Sequence, residues 1–196
     1  MTDKPLKRMR KARASLLLSA PFFGALAIRL QLEEHAATDV MAVDGKTLRY
    51  NPEKALALPF DQLKAVIAHE VMHCAAGHPF RRGTRDFERW NTACDYAINP
   101  IIRDAGFILP PGAYLDPVYD GKSAEAIYAM LGDREGNQAE NPCGTVDDAP
   151  AEENAPSDNE GEAPTPTASG EQDWKQATRR RNRNVRPAKT TCLSKC

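Results

Sequence analysis

The chain has 196 residues, a formal net charge of -1, 41% hydrophobic and 27% charged residues, a globular balance that excludes a collagen-like or wholly disordered polypeptide. No apolar run reaches the roughly 18 residues that span a bilayer. The longest, Leu16 to Leu30, is broken by Pro21, Gly24 and Arg29, so no membrane location is expected. The basic residues ahead of it (Lys4, Lys7, Arg8, Arg10, Lys11, Arg13) are interleaved with apolar ones, as in an amphipathic helix rather than a secretory leader. The sequence therefore reads as cytoplasmic. Five cysteines at irregular spacing, with no C-x-x-C pair, make neither a disulfide framework nor a thiolate zinc ribbon.

Residues 4–19 carry Leu6, Met9, Ala14, Leu17 and Leu18 at near-helical spacing and predict a first helix, stopped by Pro21. Phe22 to Glu34 reads as a second helical stretch. Asp39 to Val43 and Thr47 to Tyr50 read as strands joined by an Asp44-Gly45 turn, a hairpin signal. Asp61 is a candidate N-cap for a helix over Gln62 to Ala76, which Gly77 and Pro79 end. Trp90 to Ala105 predicts another helix. Ser123 caps a short last one reaching Leu131.

Charge is segregated along the chain. Residues 1–132 hold 17 basic and 15 acidic side chains, residues 133–173 hold one and 12, and residues 174–196 hold eight and none. The middle segment is rich in proline and poor in large apolar residues. It cannot bury enough surface to offset its ordering entropy. The expected organisation is one folded domain over 1–132, a disordered acidic linker over 133–173 and a disordered basic tail over 174–196. The expected fold is α+β, with several helices around a small, mainly antiparallel sheet.

The chemistry sits in Val66-Ile67-Ala68-His69-Glu70-Val71-Met72-His73-Cys74-Ala75, which contains H-E-x-x-H. On a helix, positions i and i+4 share one face, so His69 and His73 can put two imidazole nitrogens on one zinc ion. Glu70 lies about 100° further round the helix. From there it reaches a metal-bound water as general base without entering the coordination sphere. Apart from the motif's own residues, Ala65 to Ala76 is uncharged and small or apolar, the mark of a buried helix. Buried histidines and a glutamate need partners, and a metal provides them.

A catalytic zinc usually takes three protein ligands. Asp95 is the favoured third, because Asn91, Asp95 and Asn99 form an i, i+4, i+8 polar stripe on an otherwise apolar helix. His78 is the alternative, although its spacing misses the H-E-x-x-H-x-x-G-x-x-H pattern; Glu88 and Asp86 follow. Asn91 and Asn99 read as groups that orient the ligands. His78, Tyr50 and Tyr96 are candidates to donate a hydrogen bond to an oxyanion. Cys74 and Cys94 read as core thiols and His35 as a surface residue. The N-terminal cations and the Arg179 to Arg186 cluster leave nucleic acid open as a partner, without a recognition pattern to support it.

Taken in order, the N-terminal helix, the hairpin ending in Tyr50-Asn51-Pro52, His69 to His78, Trp90-Asn91, Asp95 to Asn99 and Ala124-Glu125-Ala126-Ile127-Tyr128 resemble a known group. It is the metallopeptidase domain that, in longer bacterial and phage proteins, stands before a von Willebrand factor A-like domain. The resemblance covers about residues 5–132, and the sequence departs from the longer pattern after about residue 175. It implies a zincin-like fold and a zinc site at His69 and His73, with Glu70 as catalytic base. The expected activity is zinc-dependent hydrolysis of peptide bonds in a protein or peptide substrate. The alternatives are a non-catalytic zinc-stabilised adaptor and a nucleic-acid-associated module.

Overall fold

The computed structural model describes residues 4–132, 143–150 and 168–182. Helix α1 (Lys4–Ser19) buries Met9, Ala12 and Leu16; Lys4, Lys7, Arg10 and Lys11 are exposed, whereas the half-buried Arg8 and Arg13 donate to the carbonyls of Leu58 and of Ala27 and Leu30. Pro21 opens a second helix, α2 (Pro21–Ala27). The two helices meet where a Cβ on Gly24 would fall 2.3 Å from the backbone nitrogen of Leu17, so only glycine lets them approach this closely. The helical expectation for Phe22 to Glu34 fails beyond Ala27. Residues Gln31–Glu34 form strand β1, drawn into the sheet by pairing with β3. Helix propensity of Leu and Glu yields here to tertiary hydrogen bonding.

Strands β2 (Met41–Val43) and β3 (Thr47–Tyr50) make the expected antiparallel hairpin. Asp44 supports its turn by accepting from the backbone nitrogens of Lys46 and Thr47. The four-stranded sheet has the order β1-β3-β2-β4, and two of its three pairings, β1 with β3 and β2 with β4, are parallel. The sheet is therefore mixed and not mainly antiparallel. The connection from β1 to β2 leaves a gap of one strand that β3 fills, so β1 runs beside β3 in the same direction.

Helix α3 (Pro52–Ala57) starts from Asn51, whose side chain accepts from the backbone nitrogens of Glu53 and Lys54. Helix α4 (Phe60–Ala75) follows from Pro59, earlier than Asp61 suggests. It is buried on nearly every side, by α1, α2, α5 and β2. Gly77, at φ 73°, turns the chain into a short 3-10 helix at His78–Phe80. Helix α5 (Phe87–Asp104) begins one turn before Trp90, because Asp86 caps it by accepting from the backbone nitrogen of Arg89. Helix α6 (Ala124–Leu131) has Ser123 as its cap, as expected, and packs on α5. Among the described residues no helix is long and apolar enough to cross a membrane.

Two stretches expected to be linker and tail lie on the domain. Strand β4 (Thr145–Val146) extends the sheet, and Cys143, Val146 and Ala149 are buried. Helix α7 (Ala168–Asn182) rests on α2 and α4, with Trp174 inside the main core. A few well-placed apolar residues suffice to anchor each stretch, although the average composition of 133–196 is that of a non-globular chain. The rest of the expected linker and tail, including Arg183 and Arg186 of the Arg179 to Arg186 cluster, lies outside the described residues.

Candidate metal centre

His69 and His73 project from the same face of α4, one turn apart, and α5 carries Asp95 to them. His69 Nε2 and His73 Nε2 are 2.8 Å apart; Asp95 Oδ1 stands 3.3 Å from the first and 3.2 Å from the second. The two histidines are fully buried and Asp95 is 1% exposed. These three residues form one of two groups able to hold a metal among the described residues.

The tautomer of His69 follows from its neighbours. Asn99 Nδ2 donates to the carbonyl of Tyr114 at 3.0 Å, which orients the amide and turns Oδ1 toward His69 Nδ1, 2.8 Å away. An amide oxygen only accepts, so His69 Nδ1 carries the hydrogen and Nε2 presents a lone pair. Burial raises the pKa of Asp95, but the His69 and His73 rings outweigh it and hold the carboxyl well below the usual carboxylate range. An imidazole nitrogen and a carboxylate oxygen thus face each other at 3.3 Å. Such a pair needs a proton or a metal cation between its atoms, and with His73 Nε2 beside them the three donor atoms fit a divalent metal.

His73 is held from its other side by His78, with 3.0 Å between their Nδ1 atoms. Burial, the largest cause, lowers the pKa of His73 to about 4, so it is neutral at pH 7, the form that ligates a metal. Burial also lowers His78 well below the ordinary histidine range. His78 therefore lies against a candidate ligand rather than beside Asp95 in the first group. With His73 and Cys94 it makes the second group able to hold a metal. That group shares His73 and lacks a carboxylate.

Glu70 is completely buried, and among the described residues neither of its carboxylate oxygens has a hydrogen-bond partner. Burial first, then the charges of Asp95 and Asp147, raise its pKa well above the usual carboxylate range. A carboxylate so placed is costly to the fold unless a cation or a bound water answers it.

Glu88 and Asp86 are exposed on the first turn of α5 and take no part in the cluster. Tyr50 donates its hydroxyl to Glu34, and Tyr96 stacks on Tyr114 and meets the tilted ring of Tyr119. His35 is exposed. Arg103, a conceivable salt-bridge partner for Asp95, pairs with Asp104 and Asp120 instead. Asn91 does not touch the histidines: its Oδ1 accepts from the backbone nitrogen of Val146 at 2.9 Å and ties β4 to α5. Cys143 and Gly144, which border Glu70, were invisible to sequence reasoning. Their only sequence signal is a Cys-Gly pair bounded by proline in an otherwise acidic stretch.

The family model described as "Putative metallopeptidase domain" matches residues 4–192. An uncharacterised protein of Thermotoga maritima is 31% identical over 111 residues, which is 52% of this chain and 28% of that protein. The chain thus spans well under half the length of that relative. No solved structure matches.

Proposed function

The chain belongs to the putative metallopeptidase domain family, and on that premise we propose that it is a zinc-dependent peptidase. Its metal would be held by His69, His73 and Asp95. The observation that carries the reading is the convergence of two Nε2 atoms and one carboxylate oxygen within 3.3 Å, next to a buried, unpartnered Glu70.

A zinc ion held by these residues would supply Lewis acidity and would lower the pKa of a water toward about 7. The protein's own groups then have defined tasks. Asn99 keeps the hydrogen of His69 on Nδ1, so that Nε2 stays available. His78 braces the ring of His73 through the contact between their Nδ1 atoms. Glu70 accepts the proton of the attacking water on its carboxylate and delivers it to the leaving amide nitrogen. The surrounding core excludes bulk water, which strengthens each of these interactions. The substrate class that suits this chemistry is a protein or peptide.

Complete burial of all four side chains favours a second reading, a non-catalytic metal-stabilised domain. Glu70→Gln separates the two, because glutamine keeps the shape and cannot accept the proton. The expected result is unchanged zinc content, by elemental analysis, with hydrolysis of unfolded casein reduced by several orders of magnitude. Equal hydrolysis by the variant would refute the catalytic reading.

A further inference from the structure

The candidate site is sealed, yet a peptide substrate has to reach Glu70. What lies over that carboxylate is the chain itself. Gly144 adopts φ 124°, and a Cβ built on it would fall 2.3 Å from Glu70 Oε1 and 2.5 Å from the carbonyl oxygen of Met41. Only glycine lets the backbone lie this close. Cys143, immediately before it, is fully buried. From Gly144 the chain enters β4, whose Thr145 and Val146 pair with Ala42 and Val43 of β2.

This segment is one strand thick. Val146 is buried, while Thr145 and Asp147 line a cleft of about 400 Å³ together with Ala42, Arg49, His35 and Asp39. The buried bond from the backbone nitrogen of Val146 to Asn91 Oδ1 has to break for the segment to lift. The fastenings that follow it are ones that an incoming strand could replace or that water could take over. The backbone nitrogen of Asp147 donates to the carbonyl of Val43, and that of Ala149 to the carbonyl of Pro79, each at 2.9 Å. Asp147 pairs with Arg49 at 3.0 Å and Asp148 with Arg82; all four partners are at least a quarter exposed, and such ion pairs hold weakly.

We propose that residues 143–149 form a removable strap, which fills the track of an extended polypeptide along β2 and keeps substrate from Glu70. When the strap lifts, the free edge of β2 offers main-chain hydrogen bonds to an extended substrate segment, by strand addition. The proposal rests on the peptidase reading above, but its test does not depend on turnover alone.

The test uses the zinc-loaded full chain and two variants. Asp147→Ala/Asp148→Ala removes both ion pairs and, with Asp147, a charge that acts on Glu70, so its decisive readouts are alkylation and zinc transfer rather than hydrolysis. Gly144→Ala forces the backbone away from Glu70. Three quantities are measured: alkylation of Cys143 by iodoacetamide, read by peptide mass mapping with the buried Cys74 and Cys94 as internal controls; transfer of zinc to a competing chelator; and hydrolysis of unfolded casein. Both variants should speed Cys143 alkylation and zinc transfer at least tenfold and raise hydrolysis several-fold, with Cys74 and Cys94 still protected. Should Gly144→Ala fail to fold, the double alanine variant decides. Unchanged alkylation and zinc transfer in a folded double variant overturn the strap. So does labelling of all three cysteines together, which would make residues 143–149 inseparable from the core. Faster alkylation and zinc transfer without hydrolysis in any form, wild type included, uphold the strap as a gate to the metal site and refute the peptidase reading instead.

Discussion

Trp174→Ala removes the side chain that fastens α7 to the rest of the domain. Trp174 is 4% exposed within the main core, its Nε1 donates to the carbonyl of Gly45 at 2.7 Å, and the Arg29 guanidinium lies 5.7 Å from its ring. Truncating a buried aromatic to alanine costs about 3–5 kcal/mol, a figure that already contains the lost hydrogen bond and cation-π contact. For a chain of this size each kcal/mol is worth about 2–4 °C, so the melting temperature should fall by roughly 10 °C. Trp174→Phe keeps most of the packing and loses the N–H, and should cost only about 1–2 kcal/mol, because Gly45 sits in a hairpin turn where water can replace the donor. The assay is urea and thermal unfolding of the full chain followed by far-UV circular dichroism. It is run with chelator present, so that metal binding does not add to the apparent stability. A Trp174→Ala variant within 1 kcal/mol of wild type would refute the docking of α7 and return this helix to the status of a tail.

Three further outcomes are expected. Asn99→Ala frees the Nδ1 hydrogen of His69 and should weaken zinc affinity about 10- to 100-fold in chelator competition; unchanged affinity would remove Asn99 from the site. In the metal-free chain Glu70→Gln should raise the melting temperature at pH 7 by on the order of 5 °C. The sign follows from linkage: the raised folded pKa of Glu70 gives stability that is greatest below its unfolded pKa and declines as pH rises above it, and glutamine removes that decline. Stability of the metal-free chain should also fall as pH drops from 6.5 to 4, by up to about 3 kcal/mol. His73 takes a proton across that window when unfolded but refuses it when folded. His73→Asn should flatten the pH dependence in urea unfolding, and an unaltered slope would contradict this account.

Much of the local structure is determined by short-range sequence. The i, i+4 spacing of His69 and His73, the uncharged run around them and the polar stripe of Asn91, Asp95 and Asn99 suffice to place a buried donor-bearing helix beside a second polar one. The hairpin is legible from Asp44-Gly45, and α6 from its cap Ser123, because turns and caps act within a few residues.

Other features were decided only by tertiary structure. Whether Asp95 or His78 would meet the two Nε2 atoms depends on how α5 crosses α4, and no local rule specifies that crossing. The same holds for the stripe itself: Asn99 faces His69, whereas Asn91 turns to the backbone of Val146, more than 50 positions away. The mixed sheet arises from strands that pair across long loops. Strand pairing is a long-range bargain of hydrogen bonds and burial to which local propensity is nearly blind. For the same reason a proline-rich acidic stretch could conceal β4, and a polar tail could conceal a helix anchored by one tryptophan. Composition averages over a segment, but burial is settled residue by residue, by what the rest of the fold places opposite each side chain.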